Sequence, residues 1–138
     1  MAAGLIFILG SITDVLILWL FQRQPSTQWE FTAVATTTEG LPRIALGAAM
    51  VYAALHVRGS TTMFAYRVLG ILLIVVGLAG AILGTLMVLD YITLRSTVQP
   101  QAAGMFKGAV VKTLLLAGLY VVLLIPAGVI SMRKPKTR

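Results

Sequence analysis

Asp14 and Lys112 are the residues from which any chemistry in this chain would have to start. Each stands inside a long apolar run, Asp14 between Ala2 and Phe21 and Lys112 between Met105 and Met132. A carboxylate held in hydrocarbon without compensation costs about 2.5 to 3.5 kcal/mol on insertion scales, so it requires a partner, a proton or a water-lined cavity. Counted inward from Phe21 and from Met105, the two charges lie at one level, about 10 Å below the outer boundary. Pairing of Asp14 with Lys112 is therefore the first expectation. It has two forms: a structural clasp that fixes helix order, or an acid that binds a cation or exchanges a proton while Lys112 tunes it. Ser11, Thr13 and Thr85 are available nearby as hydrogen-bond partners. Asp90, Lys107 and Arg95 fall closer to the outer surface, where Asp90 is expected to form a rim pair with one of the two cations.

Other chemistries find few residues to use. The chain has no cysteine and one histidine, which removes disulfides, thiolate ligands and Cys nucleophiles. No Walker loop, zinc signature, Rossmann fingerprint or hydrolase triad occurs, so neither an enzyme nor a cofactor is expected. His56 has an imidazole that can ligate a haem or chlorin, but its place beside Arg58 at a helix end reads more plainly as a solvated interfacial side chain. The net charge of +7 would suggest nucleic acid in a soluble protein. Here the cations gather at the ends of apolar runs, which points to membrane orientation instead.

The elements that must hold these charges are helices in a bilayer. Of 138 residues, 59% are hydrophobic and 11% charged, too few polar groups to cover a soluble core. Mean hydropathy is +0.96. The expected fold is an all-α membrane protein, a single domain of four transmembrane helices at about 2–21, 41–57, 68–91 and 105–131, with a basic tail over 132–138. The first run lacks a cleavage pattern and reads as a retained helix. Gln22 to Gly40 reads as a long outer loop carrying Trp29 and Glu30, with Thr36 and Glu39 at capping-box spacing and Gly40 and Pro42 offering a later helix start. In the third segment Gly70, Gly77, Gly80 and Gly84 form a small-residue stripe, including a GxxxG, that lets another helix approach to backbone contact. Gly104 and Gly108 lie on one face with Lys112, and Pro126 should kink the fourth helix.

Four crossings place both termini on one side, and the lysine and arginine count places that side in the cytoplasm of a plasma or bacterial inner membrane. Arg58, Arg67 and the tail cations Arg133, Lys134, Lys136 and Arg138 stand against Arg23, Arg43, Arg95 and Lys107. Ile8 to Leu20 and Ile82 to Leu94 share an opening ILG, a faint internal echo. An acid midway along a first helix resembles the small multidrug-resistance transporters, which are also short four-helix proteins. Their carboxylate falls on Asp14, while the flanking residues and the long outer loop do not follow their pattern. Two functional classes follow: a non-enzymatic accessory or scaffold subunit bound to other membrane proteins, or a homodimeric transporter or channel with Asp14 at its site.

Overall fold

The computed structural model describes residues 1–57 and 63–132, and Arg58 and the tail cations lie outside them. It contains four helices long and apolar enough to cross a membrane, and no strand among the described residues. Helix α1 (Ala2–Leu16) runs on through a π-helical turn, Ile17–Phe21. Helix α2 (Thr27–Val57) is followed by helix α3 (Met63–Leu94), and a link that closes on a short 3-10 turn, Pro100–Ala102, leads to helix α4 (Ala103–Ser131).

The second helix corrects the expected outer loop. It begins at Thr27 rather than Leu41, so the first connection shrinks to a short link at 22–26. Ser26 caps the helix by accepting the Trp29 amide at 3.1 Å, which satisfies one of the free N–H groups of a helix start. Two threonines of this stretch turn their hydroxyls onto their own helix, Thr32 donating to the Gln28 carbonyl and Thr38 to that of Val34. Ala33, Val34, Thr37, Thr38, Leu41, Ile44, Ala48, Val51 and Leu55 are buried on one continuous face, the spacing that a helix needs to pack along its length. Helix α3 starts earlier and ends later than expected, at Met63 and Leu94, and α4 starts two residues earlier, at Ala103.

Pro42 therefore sits inside α2, where it has no N–H to give to the carbonyl four residues back. That carbonyl belongs to Thr38, and Tyr120 of α4 donates its hydroxyl to it at 3.0 Å. A buried tyrosine from another helix thus replaces the hydrogen bond that proline removes.

Neighbouring helices run antiparallel and meet through glycine. A Cβ on Gly4 would meet the Gly47 carbonyl oxygen at 2.7 Å, and one on Gly47 would meet that of Gly4 at 2.6 Å. Gly70 and Gly128 stand in the same relation: a Cβ on either would lie 2.6 Å from the other's carbonyl oxygen. The stripe of α3 is used within the chain: Gly77 faces Ile125, Gly80 faces Tyr120 and Gly84 faces Ala117. The helix that approaches this stripe is α4 of the same chain. Gly104 and Gly108 have open space where a side chain would go, so they pack against nothing within the chain. Helices α2, α3 and α4 share contacts at their centre, whereas the main packing of α1 is with α2.

Candidate functional site

The expected Asp14–Lys112 pair is not formed. Lys112 Nζ donates instead to Glu39 Oε1 at 2.6 Å. Sequence reasoning misses Glu39 because it assigns that residue to a loop; once α2 extends to Thr27, Glu39 projects from within the helix at the level of Lys112. Both side chains are on the surface of the helical unit, with 62% of Lys112 and 53% of Glu39 exposed.

Glu39 also borders Asp14. A groove of about 420 Å³ between α1 and α2 is lined by Asp14, Glu39 and Arg43 with Ser11, Gln22, Thr36 and Thr37, and by the apolar Val15, Ile17 and Leu18. Asp14 and Arg43 are exposed, and among the described residues neither has an ion pair. Thr13 and Thr85 are occupied locally, donating to the carbonyls of Leu9 and Ala81. The π-helical turn gives Ile17 and Leu18 to this groove, and Trp19 of the same turn meets α2 beside it, where its indole N–H donates to Thr37 Oγ1 at 2.9 Å and its ring meets Trp29 edge-on at 5.5 Å.

Aromatic rings mark the depth of these charges. At one end Trp19 meets Trp29, and Phe106 stacks on both Phe31 and Tyr91; at the other, Tyr52 meets Tyr66 and His56. Aromatic belts gather at the two interfaces of a membrane. Along α2 the separation from Phe31 to Tyr52 is about 32 Å at about 1.5 Å per residue, close to the roughly 30 Å of a hydrocarbon core. On that scale Glu39 lies about 12 Å inward of Phe31 and Arg43 about 18 Å, so the group stands well inside the apolar zone. His56 is exposed beside Tyr52 at the opposite interface, rings parallel within 5°.

Asp90 also departs from expectation. It is 5% exposed and its Oδ2 has no hydrogen-bond partner, so the rim pair with Lys107 or Arg95 is absent and both cations are exposed. The reason is rotational: α3 continues to Leu94, and Asp90 follows Leu83 and Met87 on the face turned into the core. Among the described residues no cluster of His, Asp and Glu suits a metal ion.

No protein-family model, curated protein or solved structure matches this chain.

Proposed function

We propose that this chain is a non-enzymatic accessory or scaffold subunit of a larger membrane assembly, and that it docks through the polar face formed by α1, α2 and α4. One observation carries the reading: Glu39, Lys112, Asp14 and Arg43 lie on the outside of the helical unit at a depth where lipid would otherwise meet them. Charged side chains within a membrane face a bundle interior or a water-filled cavity, because hydrocarbon leaves them unsolvated. A four-helix unit with such groups on its exterior is completed by something else. Gly108 extends the same surface one turn along α4 from Lys112 and is open to a neighbouring backbone, as helix–helix interfaces in membranes require.

The test is purification in mild detergent with mass measurement of the intact particle, for wild type and for Lys112→Glu. The expected wild-type particle exceeds one chain, and the variant, which sets two acids side by side on that face, releases its partner. A monodisperse single chain whose mass is unaffected by the substitution would remove the reading.

The groove favours a second reading, a small homodimeric transporter or channel in which unpaired Asp14 receives a proton, an ion or a cationic substrate. Flux of a cation into vesicles that is lost in Asp14→Asn would support it. Retained flux, or none in wild type, would count against it. In both readings the termini are cytoplasmic.

A further inference from the structure

We propose that Asp14 of one chain pairs with Arg43 of a second copy across a two-fold axis, and Arg43 with Asp14 in return. This rests on the reading of the α1–α2–α4 face as an assembly surface and names its occupant. Within one chain Glu39 is neutralised by Lys112, which leaves one acid and one base on the same groove, Asp14 from α1 and Arg43 from α2. Neither forms an ion pair among the described residues. The leftover charges are equal and opposite, so the face is neutral as a whole but unsatisfied locally.

Two-fold symmetry resolves this without further residues. In an isologous interface residue i of one subunit contacts residue j of the other and j contacts i. A single contact type, Asp14 to Arg43, is therefore made twice and satisfies all four charges. A carboxylate facing a guanidinium also admits the two parallel hydrogen bonds that make such pairs strong. An unrelated helix would have to bring both a base for Asp14 and an acid for Arg43 at matching depth; a second copy brings both by construction. Val15, Ile17 and Leu18 border the charges in the same groove, and they supply an apolar margin that excludes water or lipid headgroups from the pair.

The test is a charge exchange between copies. Asp14→Arg and Arg43→Asp are each made in the full chain, carried on different affinity tags, and expressed singly and together. Wild type is expected to be a dimer by intact mass in mild detergent and by stepwise photobleaching in vesicles. Each single reversal sets like charges against one another twice and is expected to be monomeric. Co-expression of the two variants restores both pairs. The introduced guanidinium of one copy then faces the introduced carboxylate of the other, while the native Arg43 of the first faces the native Asp14 of the second. The two variants are expected to co-purify one to one. The milder Asp14→Asn and Arg43→Gln variants should each weaken dimerisation by roughly tenfold or more, with helical content unchanged by circular dichroism. A wild-type dimer that survives either reversal, or reversals that fail to rescue one another, overturns the pairing. If wild type instead holds a different chain that either reversal releases, the second copy is wrong and the assembly surface stands. A wild-type monomer whose groove is labelled by a lipid-dissolved probe overturns both.

Discussion

Tyr120 and Pro42 offer the sharpest test at the scale of single residues. The Tyr120 hydroxyl serves the Thr38 carbonyl because Pro42 cannot, so its worth depends on the proline. Tyr120→Phe leaves a buried acceptor unsatisfied and is expected to cost about 1 kcal/mol or more of stability. In a Pro42→Ala background the helix recovers its own donor, and the same substitution should then cost close to nothing. Reversible denaturant unfolding of the four proteins of this cycle in mixed micelles measures the coupling directly. Equal costs in both backgrounds would mean that the hydroxyl does not stand in for the donor that Pro42 lacks. Neither member of this arrangement is legible in the sequence, because Pro42 reads as a helix start until α2 is seen to extend past it. Asp14 and Lys112 are legible as anomalies, since charge inside an apolar run is visible without a structure. Their partners are not: a helix rotation decides which acid a lysine meets, and Glu39 enters only once the polar stretch proves helical.

Between elements, the contacts depend on the absence of side chains at a few crossing points. Gly70 and Gly128 approach so closely that any Cβ would strike the opposing carbonyl. Gly70→Leu or Gly128→Leu is expected to force α3 and α4 apart, at a cost of about 1–3 kcal/mol or more from overpacking, read as a lower unfolding midpoint in detergent. Gly118 has open space around it, and Gly118→Ala should be neutral or stabilising by up to about 1 kcal/mol through helix propensity. A comparable loss at Gly118 would show that the effect is general to glycine replacement and not to the crossing. The α3 stripe can be read in advance because four glycines at helical spacing define a face; whether α4 or another chain lies on it is a tertiary fact that spacing does not hold. The pairing of Gly4 with Gly47 is harder to see, since spacing along each helix does not say which glycine of α1 meets which of α2. The length of α2 escapes sequence reasoning for a related reason. Thr36, Thr37 and Thr38 dilute the apolar period, yet two of the three are buried, with Thr38 bonded to its own helix.

For the whole molecule, the extension of α2 changes the charge count from which an orientation is expected. Arg43 now lies within α2 and drops out of the expected outer-end cations, which leaves Arg23, Arg95 and Lys107 there in the count that favours cytoplasmic termini. The expected excess of cations on the side of the termini therefore grows, and a bias of this kind near helix ends is what orients membrane helices. Helices α2 and α3, at 31 and 32 residues, run about 46–48 Å at about 1.5 Å per residue. They exceed a hydrocarbon core of about 30 Å and must tilt or project beyond it. The lack of cysteine makes the arrangement directly measurable, because each introduced thiol is the only one in the chain. In intact cells a membrane-impermeant maleimide is expected to label Gln24→Cys, in the link after α1, and Gln101→Cys, in the turn before α4. Val57→Cys, at the far end of α2, should react only after permeabilisation. The opposite pattern would invert the orientation while keeping four crossings. Labelling of Gln24→Cys and Val57→Cys from the same side would mean that α2 does not cross at all, and the polar face on it would then meet water rather than lipid or a partner.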